Sequence, residues 1–413
     1  MRRIPLLAGC VLSLVMANAS TADRTLVVVT DEARRVHAAG FVFDGHNDLP
    51  WEIRTRAGGS FDKADIAAGV PQFHTDIARL RTGNVGAQFW AAYVPADTAK
   101  VPGKALTMTL EQIELIHAMV RRYPDVFEFA KTADDVLRIR QAGKIASLIG
   151  VEGGHSIEDS IENLRRLHQL GVRYMTLTHS DTLKWADSAT DAAQHGGLTP
   201  FGEEVVREMN RLGMLVDLSH VSPDTMKAAL KASRAPIIFS HSSARAIADH
   251  PRNVPDDVLQ LTRDNGGVVM VNFFSGFIHP ESAKRRANMF QVNRDLQQQF
   301  PNEADFKKAK KKWETDNPIE PGTVQDVVDH IDHMVQVAGI EHVGFGSDFD
   351  GITTCPRQLE DVSMYPVITQ ELLTRGYSAE HIHRLMSGNI LRVMRRAEEV
   401  ARTIAAAQQT SLP

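Results

Sequence analysis

Histidines and carboxylates that could hold a metal ion recur along this chain at the ends of short apolar runs. Phe41-Val42-Phe43-Asp44 is followed at once by Gly45-His46-Asn47-Asp48. A short apolar run reads as a strand buried on both faces, and its polar residues then fall at its carboxyl end. His46 and Asp48 are two apart, so along an extended chain they point the same way and can share one ion. Taken alone, the stretch reads equally well as a solvated turn that caps the strand. The same arrangement recurs, however. The run 144–151 closes on Glu152-Gly153-Gly154-His155, 172–178 on His179, and 214–218 on Ser219-His220. The run 236–239 closes on Ser240-His241, and 342–346 on Ser347-Asp348. Packing does not explain so many costly polar groups at one register of successive strands. Histidine with carboxylate, and no cysteine at these positions, suits Zn²⁺. One carboxylate among several histidines, Glu152, points to two ions with the glutamate between them. Such a pair would hold a shared hydroxide as nucleophile and polarise a carbonyl.

These residues need a scaffold that brings strand ends together. Eight strands are expected, at 41–44, 85–94, 144–151, 172–178, 214–218, 236–239, 267–273 and 342–346, with helical periodicity between them. Helices are expected at 107–123, 132–143, 161–170, 200–212, 222–233, 256–265, 324–338, 366–373 and 379–397, and residues 49–73 read as a long loop. Strand and helix in alternation predict an α/β fold, a (β/α)8 TIM-like barrel, whose chemistry gathers at the carboxyl ends of the strands. A single domain is expected over 25–400, with a polar tail at 401–413. Residues 274–321 form a charged helical excursion after strand seven. Its lysines (Lys307, Lys308, Lys310, Lys311, Lys312) read as a solvated face.

Composition narrows the function. The chain has 413 residues, 43% apolar content and a net charge of −5. Nucleic acid is therefore not an expected partner. Arg2-Arg3, an apolar run from Ile4 to Met16 and Ala17-Asn18-Ala19 read as a signal peptide over 1–19. Leu7-Ala8-Gly9-Cys10 also has the form of a lipoprotein box, a minority reading. No transmembrane segment is expected in the mature chain. Once a leader is removed, Cys355 stands alone and no internal disulfide can form. That favours a secreted, periplasmic protein of a bacterium.

Seven segments together carry a resemblance. They are Asp44-Gly-His-Asn-Asp-Leu-Pro50, Gly150-Val-Glu-Gly-Gly-His155, Leu177-Thr-His-Ser180, Asp217-Leu-Ser-His220, Phe239-Ser-His-Ser-Ser243, Arg252-Asn-Val-Pro-Asp-Asp257 and Gly346-Ser-Asp-Phe-Asp-Gly351. As an ordered set, from about Phe41 to about Met394, they resemble the membrane dipeptidase (renal dipeptidase) family of zinc peptidases. The resemblance implies two zinc ions: His46 and Asp48 on one, His220 and His241 on the other, Glu152 bridging. It implies that a metal-bridging hydroxide attacks the carbonyl of a dipeptide, L-L or L-D. It gives His179 the oxyanion, Arg252 the terminal carboxylate, and Asp348 the proton passed to the leaving amine. A homodimer and hydrolysis of β-lactams occur among relatives. The disulfides and lipid-linked C-terminus of vertebrate members have no counterpart here. With both zinc shells filled, His155 reads as a structural histidine, Asp350 as a turn residue and Trp51 as a pocket wall.

Two rival readings differ by residue. Another metal-dependent amidohydrolase of the same barrel would carry a His-x-His pair after strand one and a carboxylated lysine mid-chain; this chain has His46-x-Asp48 and Glu152. A non-catalytic periplasmic peptide- or metal-binding protein would not need Asp348, which is present.

Overall fold

The computed structural model describes residues 24–410. The leader-like stretch 1–19 with Cys10, and residues 411–413, lie outside the described residues. Nine parallel strands form one sheet: β1 Val42–Asn47, β2 Val85–Tyr93, β3 Phe127–Phe129, β4 Ile145–Glu152, β5 Val172–Thr176, β6 Leu215–Asp217, β7 Ile238–Phe239, β8 Val268–Val271 and β9 Val343–Phe345. Their order is β2-β1-β9-β8-β7-β6-β5-β4, and pairing of β2 with β4 (Ala87 opposite Ala146) closes eight of them into a barrel. Helices surround it, as a (β/α)8 fold requires.

The ninth strand, β3, was not anticipated. It is three residues long and pairs with the first half of β4, where β5 has not yet begun. So short a segment carries no period to read.

The apolar residues divide by direction along each strand. Phe43, Phe89, Leu148, Tyr174, Leu215, Ile238 and Met270 belong to one buried cluster with Ile390 and Met394 of the last helix. Val42, Trp90, Ile149, Val216, Phe239 and Val271 join the larger cluster with the surrounding helices. Both faces of most barrel strands are covered, which is why the sequence reads as nearly unbroken apolar runs.

Two stretches differ from the sequence expectation. Residues 49–57 form a helix, Leu49–Ala57, where a loop was expected. Pro50 sits in its first turn, where the missing N–H costs nothing, and Gly58 ends it at φ 63°. The paired glycines Gly58-Gly59 read as loop residues in the sequence, but Gly58 marks a helix stop. Residues 401–410 continue the last helix, Asn389–Thr410, where composition suggested a tail; alanine is the strongest helix former.

After β8 the chain makes four helices, Ser275–Ile278, Pro280–Arg286, Met289–Gln299 and Glu303–Asp316. They arch across the mouth of the barrel. Arg294 donates to the Thr190 carbonyl (2.6 Å) and lies 3.5 Å from Asp191, in the loop after β5. Three of the lysines pair at i,i+4: Lys307 with Glu303, Lys312 with Asp316, and Lys310 with Glu314 at 4.0 Å. No helix of the described residues is long and apolar enough to cross a membrane.

The barrel closes tightest next to β9. A Cβ on Gly346 would lie 1.9 Å from the Ser240 carbonyl oxygen. Gly346→Ala should destabilise the fold by about 3 kcal/mol or more, since backbone cannot yield as a side chain can. The urea midpoint measures this.

Candidate metal centre

Each donor leaves the scaffold at a strand end. His46 is on the last turn of β1, beside a register shift between Asp44 and Asn47, and Glu152 is the last residue of β4. His179, His220, His241 and Asp348 stand in the short segments that follow β5, β6, β7 and β9. Asp48 is not in the strand at all. It is the residue preceding helix Leu49–Ala57, with φ −97° and ψ 18°. Its approach to His46, Nε2 to Oδ2 at 3.1 Å, comes from a strand-to-helix turn and not from an extended chain.

The geometry centres on Glu152. Its Oε2 is 3.7 Å from His46 Nε2. Its Oε1 is 3.0 Å from His220 Nε2 and 3.5 Å from His241 Nε2. The two oxygens therefore face two separate donor pairs, His46 with Asp48 and His220 with His241. His220 Nε2 and His241 Nε2 are themselves 3.0 Å apart. His179 Nε2 lies 3.7 Å from Glu152 Oε1, and Asp348 Oδ1 lies 4.0 Å from His46 Nε2. Three overlapping groups have ligand atoms close enough to hold an ion: His46, Asp48, Glu152; Glu152, His220, His241; and His46, His241, Asp348. Asp48 Oδ1 is buried without a hydrogen bond. Converging lone pairs and an orphaned buried carboxylate oxygen are what a divalent cation would satisfy.

Electrostatics agree with this. Burial raises the Glu152 carboxyl to about 8 and the Asp348 carboxyl to about 7. Burial alone would lower His46, but the charges of Glu152 and Asp48 outweigh it and lift the imidazole to about 10. Burial pushes His179, His220 and His241 well below the ordinary imidazole value, so they are neutral and able to ligate or donate.

The sequence reading missed the residues that hold the donors. His46 Nδ1 bonds Tyr174 Oη at 2.7 Å. Ser240 Oγ lies 2.8 Å from His241 Nδ1 and donates to Asp217 Oδ2 at 2.6 Å. His241 Nδ1–H thus donates to Ser240, which leaves Nε2 a bare lone pair aimed at Glu152 and His220. Asn272 donates to Asp348 Oδ2 at 2.8 Å. Asp217 and Ser240 lie inside the quoted segments, next to the donors themselves; Tyr174 gives no sign, since a buried strand tyrosine looks like core. His155 bonds the Val94 carbonyl and stands apart from the cluster. Asp350 accepts the His74 N–H in a turn, and Trp51 packs edge-on to Tyr93.

The cluster floors a cavity of about 610 Å³. Arg252, 1% exposed, lines it with Asp48, Glu152, His179, His220 and Asp348. Its guanidinium reaches the His241 carbonyl (3.3 Å) and lies over the Phe277 ring. The far wall comes from the excursion: Met289, Phe290, Lys310 and Trp313.

A closed α/β barrel with buried histidine and carboxylate donors at its carboxyl rim defines a metal-dependent hydrolase of the barrel type. The chain belongs to the membrane dipeptidase family, peptidase family M19, whose sequence profile matches residues 30–408. It is 40% identical over 369 residues to dipeptidase verJ of Clonostachys rogersoniana, covering 87% of this chain and 85% of that one. It is 41% identical over 362 residues to dipeptidase 3 of Mus musculus, covering 86% of this chain and 64% of the mouse protein, so it spans less than two thirds of that relative. Among solved structures, the probable dipeptidase PvdM of Pseudomonas aeruginosa superposes with a TM-score of 0.77 at 26% identity, covering 90% of this chain and 98% of that one. A metallopeptidase of Rhodobacter sphaeroides, solved with a phosphinate mimic of the dipeptide L-Ala-D-Ala, gives 0.71 at 25% identity and covers 86% and 99%. The protein is a metallopeptidase of this family, and its substrate is a small peptide.

Metal and proton compete for the same atoms. With His46, Glu152 and Asp348 all raised, the metal-free pocket holds protons at neutral pH. Uptake must expel them, so affinity falls as pH falls, by roughly tenfold per pH unit for each proton displaced. Calorimetry in buffers of different ionisation enthalpy should show proton release near pH 7; uptake without release would contradict these shifts. Tyr174→Phe should weaken metal binding by roughly 10–100-fold, as loss of a residue that orients a ligand does; competition with a chromogenic chelator measures it.

Proposed function

We propose that this protein is a dizinc dipeptidase that hydrolyses L-L and L-D dipeptides. The observation that carries the proposal is Glu152, whose two oxygens face separate donor pairs. In this reading His46 and Asp48 hold one zinc, His220 and His241 the other, and Glu152 lies between them. When bound, the zinc pair would supply an activated water and polarise the peptide carbonyl.

The chain's own groups do the rest. The planar fork of Arg252 takes the terminal carboxylate of the dipeptide. His179, neutral through burial, presents an N–H beside Glu152 to the oxygen that gains charge. Asp348, raised to about 7 in the metal-free pocket and held by Asn272, is suited to take a proton from the attacking water and give it to the leaving amine. The Rhodobacter relative bound to an L-Ala-D-Ala mimic supports an L-D substrate. Export rests on the leader-like pattern of residues 1–19, and homodimeric assembly on the family resemblance; both complete the proposal.

Purified protein should release amino acids from a panel of L-L and L-D dipeptides. A chelator should abolish turnover and added zinc restore it. Turnover that survives complete metal removal would refute the reading. Glu152→Gln should lower bound zinc from about two ions per chain to about one or none. Retention of both ions at wild-type affinity, by elemental analysis after dialysis against chelator, would refute the bridging role.

A further inference from the structure

The outer end of the cavity holds a cation that the reaction above does not use. Arg286, the last residue of helix Pro280–Arg286, is 7% exposed and lines the cavity. Among the described residues its guanidinium makes no ion pair and no hydrogen bond, and its Nε is a buried donor without a partner. Its Cζ lies over the Trp313 ring, 4.8 Å from the centroid. The nearest influence of opposite sign is Glu314, whose carboxylate Lys310 shares at 4.0 Å. A side chain this enclosed, with a buried Nε donor left unpartnered, is costly unless a ligand supplies an acceptor.

Its place relative to Arg252 says which part of a ligand would reach it. His250 Nδ1 accepts the backbone N–H of Arg252 at 3.1 Å, and His250 Nε2 donates to the backbone carbonyl of Arg286 at 3.3 Å. The Phe277 ring packs on His250, with the Arg252 guanidinium over it. The backbones of Arg286 and Arg252 are thus tied through His250, and both side chains line the same cavity.

We infer that Arg286 is a specificity-determining residue that receives an anionic side chain on the carboxyl-terminal residue of the substrate, so that the preferred dipeptides end in an acidic amino acid. The inference rests on the dipeptidase reading, with Arg252 holding the terminal carboxylate. Trp313 stacks against Arg286, and the aromatic rings of Phe274 and Phe277 line the same cavity.

The zinc-loaded enzyme tests this with Ala-Glu against its neutral isostere Ala-Gln, each with an L or a D second residue, and with Ala-Ala as reference. For whichever epimer is cleaved, kcat/KM for the glutamate substrate should exceed that for glutamine by at least roughly tenfold, the scale of one charge-assisted hydrogen bond. Arg286→Met should bring that ratio to about one, mainly through KM, and Arg286→Lys should keep part of it. Equal turnover of the two substrates by the wild type, or an unchanged ratio in Arg286→Met, would overturn the inference while leaving the dipeptidase reading intact. No turnover of any dipeptide, Ala-Ala included, would overturn both. Should Arg286→Met not fold, the wild-type ratio decides.

Discussion

The pocket is governed by how much negative charge is buried in it. Asp48, Glu152 and Asp348 are each less than a tenth exposed and face one another across a few ångströms. Three carboxylates cannot all ionise there without compensation, and the available cations are a raised His46 and the buried Arg252. The metal-free pocket meets the constraint by holding protons. A divalent cation would meet it as well, and would also take up the lone pairs of the neutral histidines His220 and His241. The acid-rich floor thus fits a metal site.

Holding those charges in place is the task of a ring of unexposed polar residues. The same device occurs twice. Asp217, at the end of β6, accepts from the Ser240 N–H and hydroxyl, and Ser240 precedes His241. Asp44, on β1, accepts from the Ser347 N–H and hydroxyl, and Ser347 precedes Asp348. In each case a carboxylate on one strand clamps a serine just beyond the end of another strand, and the next residue is delivered to the pocket. His220 at φ 70° and Asp348 at φ 64° hold left-handed conformations that non-glycine residues rarely adopt. Such strain persists only where the surroundings over-determine the backbone, and it falls at the rim where the donors must turn inward.

The fold was legible where strands are long apolar runs buried on both faces, and the donors were legible because they end those runs. His46, Glu152, His220 and His241 could be picked out by type and place, and the structure brings them together. The reasoning for Asp48 was weaker than its result: strand alternation suggested the pairing with His46, whereas a helix start provides it. Gly58-Gly59 hid that helix because glycine also punctuates loops. β3 was invisible for want of length. Tyr174 was invisible for a different reason: nothing local separates a tyrosine that fills the barrel from one whose hydroxyl orients a ligand 128 residues away. The function of a buried polar group lies in its partner, and partners distant in sequence cannot be read from one chain.

The excursion after β8 supplies part of the cavity wall. A barrel rim alone is an open bowl, into which a long polypeptide could lay a loop. Here the helices from Met289 to Asp316 cross the mouth and are fastened by Arg294 to the loop after β5. The space left, about 610 Å³, has the donor cluster as floor and Trp313, Phe290 and Met289 as roof. Arg252 sits inside it at 1% exposure, so a carboxylate that reaches it must be carried in by a ligand small enough to pass beneath the roof. In the proposed reading Arg252 pairs with a terminal carboxylate, a group that a continuing chain does not have there. In the proposed reading, peptide length is therefore set twice: Arg252 requires the chain to end, and the roof limits how much can precede that end. Both limits follow from where a single insertion is anchored, not from the metal chemistry below it.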